Sequence, residues 1–466
     1  MRKTNLKRAS LCSIKKAAME TGATAMVVAI SLFGFSIAKA SETPQSLSLA
    51  QAVHLAQSSD DWLVKSQQEE QRLIALSSGA TALPDPTFSL GLMNVPTDSF
   101  AFDQEPMTQL KVGASQMFPR GDTLSLQGAQ YEQAAAIQPF MRDDRRHKVK
   151  WQASLLWLDA YQSQASHALV NQAKPLFDKL GEIVSASYAS SVGSTKQQDI
   201  IRAELELVRL QDRLVSLSTA QQAALHKLTQ YLYGSDRHQA TIFSSVGALP
   251  SEQAHVNESM NATLSALMDA DDNSLLMLLN THPLVVATNQ KIRAESMGIE
   301  IAEQAYKPQF GVNASYALRD DSRADFFSVG MSVSVPLFST SRQDAQVSST
   351  IAQMEASKTQ KRLLLRELIA GLKSNLTQYR GASERLVIYK QQILPQMSQQ
   401  AEAALNAYTN DTGDFAEVVR ARIAELDASV TAVNIEVSKR KALAAIEYYL
   451  SSHPSFSSTS GVSHHG

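Results

Sequence analysis

The sequence predicts a mainly α-helical protein built from two copies of one helix-strand-strand-helix-helix unit. Three observations support this fold class. Residue patterns recur at an offset of about 220 positions, two pairs of segments alternate apolar with polar residues, and long stretches place apolar residues three and four positions apart. Each copy therefore supplies a β-hairpin and a long helical hairpin, and the chain supplies four amphipathic strands.

The repeat is most visible at residues that turns and bends require. The matching pairs are Pro175 with Pro395, Tyr188 with Tyr408, Gly193 with Gly413, and Arg202 with Arg422. The pattern assigns residues 41–234 to the first repeat and 275–450 to the second. Residues 235–274 break it and are predicted to connect the two copies. Residues 451–466, rich in Ser, Gly and His, are predicted to be a disordered tail.

Period-two alternation predicts β-hairpins over residues 87–117 and 309–335. The clearest case is residues 309–319, where Phe, Val, Ala, Tyr and Leu alternate with Gln, Gly, Asn, Ser and Arg. Such strands have one apolar and one polar face. We expect the Phe, Val and Leu faces to contact lipid and the Ser, Gly, Gln and Lys faces to line a wet interior.

The longest helix is predicted over residues 142–188, a length of roughly 70 Å at about 1.5 Å per residue, apart from any bend at Pro175. After each turn glycine, three-four spacing predicts a returning helix that packs as a coiled coil. The seam residues are Ile200, Ala203, Leu207, Leu210, Leu214 and Leu217 in the first copy and Val419, Ile423, Leu426, Val430, Val433 and Val437 in the second.

The N-terminal segment predicts export. Basic residues precede an apolar stretch over residues 23–38, and Ala38-Lys39-Ala40 forms a small-residue cleavage site, so residues 1–40 are predicted to be a signal peptide. The single Cys, Cys12, lies in that segment, which leaves the exported chain without a disulfide. No later segment has 18 consecutive apolar residues, which excludes a polytopic helical membrane protein and leaves strands of about 9 to 11 residues possible.

Motifs for chemistry are missing from the exported sequence. It contains no HExxH, GxSxG, Walker-type or paired CxxC motif, so we predict no enzyme activity, no cofactor and no metal site. The formal net charge of -2 argues against a nucleic-acid partner. The pair His464 and His465 lies in the predicted tail, where metal capture is only weakly supported.

Four strands cannot close a membrane barrel, because known barrels begin at about eight strands. The chain must therefore assemble with copies of itself if the strands enter a bilayer. Two, three or four copies would give 8, 12 or 16 strands, and the strand count alone does not choose among them.

This arrangement resembles the TolC family of outer-membrane efflux ducts. The resemblance covers residues 47–450 through the duplicated order and the Gly193 and Gly413 turns, and it implies a homotrimer with a 12-stranded β-barrel continued by a coiled-coil α-barrel across the periplasm. The segments 83–86 and 116–121 are most similar to the heavy-metal RND efflux branch (copper/silver or cobalt/zinc/cadmium). The implied partners are outer-membrane lipid, a periplasmic adaptor (membrane fusion protein) and an inner-membrane RND-type pump.

In this family, the helical-hairpin tips form the periplasmic entrance, where acidic residues can ring the tunnel. The resemblance places the tips near Gly193 and Gly413 and the family's gate aspartate at Asp199. The equivalent residue in the second copy is Val419, so nearby acidic residues would have to supply the charge there. They are Asp411, Asp414 and Glu417.

Two functions follow as hypotheses. The first is a passive export duct in the outer membrane of a Gram-negative bacterium, which carries metal cations or small toxic compounds and is driven by a pump elsewhere. The alternative is a soluble periplasmic coiled-coil adaptor or scaffold that uses only the helical hairpins. The long apolar strand faces favour the duct, because an adaptor's strands should carry mixed faces.

Overall fold

The computed structural model describes residues 46–189, 196–233, 243–250, 258–410 and 412–452. The predicted signal peptide and the two tail histidines lie outside the described residues. Gly193 and Asp411 also lie outside them.

The first repeat begins with a short strand and a pair of helices that lead into the first β-hairpin. Its elements are β1 (Ser46–Leu47), α1 (Leu49–Ser58), α2 (Asp61–Ala80), β2 (Thr87–Met93), β3 (Gln109–Phe118), α3 (Thr123–Ala135), α4 (Ile137–Ala189) and α5 (Gln197–Leu232). Ser48 caps α1 through a capping box with Gln51, and the Asp60 carboxylate caps α2. Sequence and structure thus agree on helix, hairpin, long helix and returning helix.

The second repeat has the same order with one break. Between the repeats lie β4 (Ser245–Val246) and α6 (Glu258–Met268). The later elements are α7 (Asp272–Leu279), α8 (Pro283–Glu303), β5 (Gln309–Leu318), β6 (Phe326–Ser334), α9 (Ser339–Ile388), α10 (Leu394–Thr409) and α11 (Phe415–Tyr449). A π-helical turn over Tyr389–Ile393 separates α9 from α10, just before Pro395. Pro175, its counterpart in the first copy, lies inside the continuous α4.

The four long strands form one sheet in the order β2-β3-β5-β6, with every pairing antiparallel. Both predicted hairpins are therefore present, and β3 joins them by pairing with β5 of the other repeat. The strands β1 and β4 form a separate parallel pair. The indole of Trp157 donates a buried hydrogen bond of 2.7 Å to the carbonyl oxygen of Leu47, which fixes β1 against α4.

The long helices pack as the sequence predicts. α4 has 53 residues, which corresponds to about 80 Å at 1.5 Å per residue. The seam residues of α5 and α11 are buried or partly buried, and those nearest the hairpin tips share one apolar cluster with Val170, Phe177 and Val184 of α4. Helix α11 of the second repeat thus packs on the helical hairpin of the first, and an ion pair of 2.6 Å between Arg213 and Asp427 links the two.

The segment between the repeats is more ordered than the sequence predicts. Helix α6 lies within the predicted connector, and its Met260 and Leu264 are buried against α9 and the end of α11. The Asp271 carboxylate caps α7 by accepting from the backbone N–H of Ser274 at 3.1 Å. The scattered Ser and Asp residues that suggested a linker therefore begin and flank short helices.

A buried polar cluster joins α4, α8 and α11. Tyr448 donates a hydrogen bond of 3.0 Å to Asp144, and burial raises the pKa of this tyrosine, which keeps the phenol protonated. His282 is 1% exposed, its Nδ1 accepts from the backbone N–H of Leu284, and its Nε2 has no hydrogen-bond partner in the described part of the chain. Burial lowers the pKa of His282 below 6.5, and the nearby Asp144 opposes that shift.

This cluster predicts that the protein loses stability in acid. The folded chain keeps His282 neutral, while the unfolded chain binds a proton as the pH falls through about 6.5, so stability is lost from there down to the folded pKa. Burial also lowers the pKa of His147, which faces Asp143 and Asp144 and acts in the same direction. We expect a lower Tm at pH 5.5 than at pH 7.5.

The variant H282N tests this assignment because asparagine retains an N-cap acceptor but does not titrate. Its Tm should depend less steeply on pH than that of the wild type, whereas H54N, at an exposed site on α1, should keep the wild-type slope. A wild-type slope in H282N would assign the acid sensitivity to other groups.

Candidate functional site

The sheet presents one continuous apolar face. Its central row consists of Phe88, Ala114, Ala314 and Val329, one residue from each strand, directly opposite one another. Parallel rows on the same face are Leu90, Val112, Tyr316 and Phe327; Leu92, Leu110 and Leu318; Gln116, Val312 and Met331; and Phe118, Phe310 and Val333. The predicted division of the strands into apolar and polar faces is confirmed by this register.

This apolar face is uncovered in the single chain. Phe88 is 76% exposed, Phe327 69% and Val329 65%. Soluble monomers rarely expose contiguous apolar patches larger than a few hundred Å². A sheet with this face suits a surface in contact with lipid.

The opposite face carries mainly small and polar residues, together with the large apolar side chains of Met93, Met117 and Phe326. One row consists of Ser89, Gly113, Ser315 and Ser328. A Cβ added at Gly113 would lie 2.7 Å from the Ser89 hydroxyl oxygen. Glycine therefore gives this face the close packing expected on the inner side of a curved sheet.

Gln116 departs from the predicted pattern because it lies on the apolar face, opposite Val312. Its side-chain amide donates to the carbonyl oxygens of Pro84 at 2.8 Å and Met117 at 3.0 Å. Both amide hydrogens are thereby used, which makes this polar residue tolerable beside apolar neighbours.

The outer strands leave two open edges. Within the part of the chain that the structure describes, β2 pairs only with β3 and β6 pairs only with β5. Unpaired N–H and C=O groups on such edges template pairing with another chain, and in hydrocarbon each unpaired group costs several kcal/mol. The sheet is therefore incomplete until other strands cover β2 and β6.

The second helical-hairpin tip is a tight turn. The backbone N–H of Thr412 donates to the carbonyl oxygen of Ala407 at 2.9 Å, and Phe415 packs edge-on against Tyr408. A Cβ added at Gly413 would lie 2.9 Å from the Ala407 Cβ and 3.0 Å from the Tyr408 nitrogen. The glycine predicted at this tip is thus required by close backbone approach.

Two of the acidic residues predicted at the entrance, Asp414 and Glu417, lie at the start of α11. The exposed Asp414 caps α11 by accepting from the backbone N–H of Ala416 at 3.2 Å. Glu417, in the first turn of the same helix, forms an ion pair of 3.1 Å with Arg420. Of these acids, Asp414 is the one whose charge is both exposed and without a cationic partner within salt-bridge distance in the described part of the chain.

Asp199 is buried in the single chain, whereas a residue that gates a channel entrance is expected to face the passage. It is 4% exposed in the single chain, and its carboxylate accepts from the backbone N–H of Lys196 at 3.0 Å. This contact caps the start of α5. Its counterpart Val419 is 2% exposed and packs in the apolar cluster with Phe415.

No helix among the described residues combines the length and the apolar composition that crossing a membrane would require. The functional surfaces that the structure does define are an open-edged amphipathic sheet and an acidic helical-hairpin tip. Together they define a class of protein: a long helical protein with an amphipathic sheet whose two edges are open to further strands.

Comparison with known proteins agrees with that class. Residues 275–451 match the family model described as outer membrane efflux protein. A search of curated protein sequences found no match.

Several solved structures share the fold. The outer-membrane channel OprN is similar at a TM-score of 0.71 and 16% identity, over 86% of this chain and 89% of that chain. The outer membrane protein VceC of Vibrio cholerae gives 0.68 and 14%, over 86% and 95%. The CmeC outer membrane channel of Campylobacter jejuni gives 0.70 and 10%, over 86% and 85%.

Over residues 275–451 the chain matches the outer membrane efflux protein family, and its fold is similar to that of solved outer-membrane efflux channels. The family model covers the second repeat, and the fold likeness extends the architecture over the first. None of these likenesses distinguishes the heavy-metal branch, so that assignment stays a prediction.

Proposed function

We propose that three copies of this chain form the outer-membrane duct of a tripartite efflux system. The observation that carries the proposal is the uncovered apolar face on a four-stranded sheet with two open edges. Three such sheets, joined edge to edge, give 12 strands with the apolar rows outward and the polar rows inward. The duct is passive, and an inner-membrane RND-type pump drives transport through a periplasmic adaptor.

The cargo proposed for the duct is metal cations or small toxic compounds. The small polar residues of the inner face would line a wet passage without a dedicated binding pocket. The family match and the structural relatives are efflux channels, which supports a role other than catalysis. In this arrangement the pump and adaptor set cargo selection.

The direct test is conductance. The purified protein in planar lipid bilayers should give discrete current steps, because closure of the sheet creates a water-filled pore. The rival hypothesis of a soluble periplasmic adaptor predicts a protein that leaves bilayers unperturbed. That rival gains no support from the family match, and the extended apolar face argues against it.

The entrance proposal places Asp414 of each copy around the narrow periplasmic mouth. Three carboxylates there would attract divalent cations and block current. The exposed ion pair with Arg420 offsets the charge of Glu417, and Asp199 is committed to capping α5. Asp414 is therefore expected to contribute most of the effect among the described acids.

We predict that D414N weakens the block by divalent cations while leaving stability unchanged, since asparagine also caps helices well. D414A should weaken the block and also cost about 1 kcal/mol of unfolding free energy through loss of the cap. D212N, which removes the same charge from an exposed site farther along α5, serves as the control for net charge. An undiminished block in D414N would remove Asp414 from the entrance.

A further inference from the structure

A polar cavity lies where the sheet meets the helices. It is formed by the segment after β3, the last turns of α8 and the first two turns of α9. Its polar walls are the guanidinium groups of Arg120 and Arg342 and the amides of Gln343 and Gln346, and the remainder is lined by small or apolar residues of α8. Both charged groups that line the cavity are cationic.

Arg120 is held in place without being neutralised. Its Nη1 donates to the carbonyl oxygens of Ala305 at 2.7 Å and of Lys307 at 2.9 Å. The Lys307 ammonium itself pairs with Asp122 at 3.0 Å. Among the described residues, neither Arg120 nor Arg342 forms an ion pair with a carboxylate, so the cavity has uncompensated positive charge.

A buried amide also lacks a partner in this cavity. Gln343 is 8% exposed, and its Oε1 makes no hydrogen bond to any described residue. A buried acceptor without a hydrogen bond is unfavourable, so a ligand that bonds to it gains affinity. The side-chain amide can present either its oxygen or its nitrogen to that ligand.

The start of α9 adds a further preference for anions. This 50-residue helix has no side-chain cap, and Arg342 lies in its first turn. Free backbone N–H groups at a helix N-terminus favour negative charge, and the adjacent guanidinium strengthens that preference. The helix start, the two arginines and the unpartnered amide together point to an anionic ligand with hydrogen-bonding oxygens.

The position of the cavity identifies the source of that anion. The last apolar row of the sheet ends at Phe118, two residues before Arg120. Leu337 and Phe338, immediately before α9, are 78% and 85% exposed. The apolar surface therefore ends where the cationic cavity begins. A phospholipid has the same order of groups, since its apolar acyl chains lead to an anionic phosphate.

We propose that this cavity binds the phosphate group of a membrane phospholipid, with the acyl chains lying along the apolar face of the sheet. The inference rests on the proposed membrane location of that face. Arg120 and Arg342 hold the phosphate oxygens, and Gln343 bonds to the headgroup. A lipid anchored in this way fixes the depth of the sheet in the bilayer.

The test measures lipid binding by native mass spectrometry of the full exported chain in detergent, with short-chain dihexanoyl phosphatidylethanolamine as the probe. R342Q is the principal variant, because Arg342 is exposed and its replacement leaves the carbonyl contacts of Arg120 intact. R342Q should weaken lipid binding at least about tenfold, as expected for loss of a charge-assisted contact. R342K, which keeps the charge, should retain part of the affinity.

R362Q is the matched control, since it removes the same charge from an exposed site farther along α9 and should bind lipid like the wild type. Equal lipid affinity in R342Q and the wild type would overturn the proposal. Inorganic phosphate, measured by phosphorus NMR, should bind at least about tenfold more weakly than the lipid, and equal binding would reassign the cavity to free phosphate. The same spectra report the number of chains, so failed lipid binding by an intact trimer rejects this site alone, whereas absence of the trimer rejects the duct.

Discussion

Arginine at Val329 is expected to abolish assembly of the protein in the membrane. Val329 lies in the central row of the apolar face and is 65% exposed in the single chain. Arginine on the lipid face near the middle of a membrane barrel costs about 2–4 kcal/mol per copy, and three copies would carry it. The measurement is the yield of folded oligomer in outer-membrane fractions, which should fall to near background for V329R.

The adjacent residue provides the control. Ser328 points to the opposite face, where its row contains Ser315, Gly113 and Ser89, and its side chain is exposed on the edge strand. The same face already carries Lys111, opposite Ala317. S328R should therefore assemble, and equal yields of the two variants would mean that the lipid-facing and interior faces are assigned wrongly.

Crosslinking of β2 to β6 is expected to produce a ladder that ends at three chains. The only cysteine of the sequence is Cys12, in the predicted signal peptide, so introduced thiols are expected to react without background once that segment is removed. Replacing Leu90 in β2 and Val329 in β6 by cysteine places one thiol on each open edge, on the same face. Treatment of cells with a bis-maleimide should then join β2 of one copy to β6 of the next.

Two controls define this result. Each single-cysteine variant has only one of the two edge thiols, so it should yield no ladder. A pair at Leu110 and Leu318, which lie opposite each other within one chain, should give crosslinked monomers only. A ladder that ends at two or four chains would replace the 12-stranded arrangement with one of 8 or 16 strands.

Most of the fold follows from two periodicities. The strands over residues 309–318 and 326–334 lie within the predicted hairpin. Alternation locates such strands, because a shift of one residue would turn the apolar side chains to the polar face of the sheet. The apolar seams of the helices were predictable from the second periodicity, the three-four spacing of apolar residues. Leu210 and Leu214, for example, are buried because three-four spacing places them on one side of α5.

Other features depend on segments that are too short, or on contacts that are too far apart in sequence, for a residue pattern to reveal. The pair of β1 with β4 involves two residues from each strand, well below the length at which alternation can be recognised. Helix α6 was missed because Met260 and Leu264 stand among serines, and their burial depends on α9 and α11. The π-helical turn before Pro395 distinguishes repeats that look equivalent in sequence.

The candidate entrance was predictable only in part. The sequence identifies acidic residues beside the turn glycines, but it does not show which carboxylates are used by the backbone. Asp199 lies three residues after Lys196, the spacing of a capping contact, and this spacing was the available signal for its burial. The cationic cavity has no local motif, since Arg120 and Arg342 are brought together by packing between the two repeats.

Three copies of the chain are expected to complete one duct in the outer membrane. Membrane fractionation followed by determination of the native mass in detergent, corrected for bound detergent, is the decisive measurement. We expect an outer-membrane species of three chains. A soluble periplasmic monomer would contradict it and would favour the adaptor hypothesis.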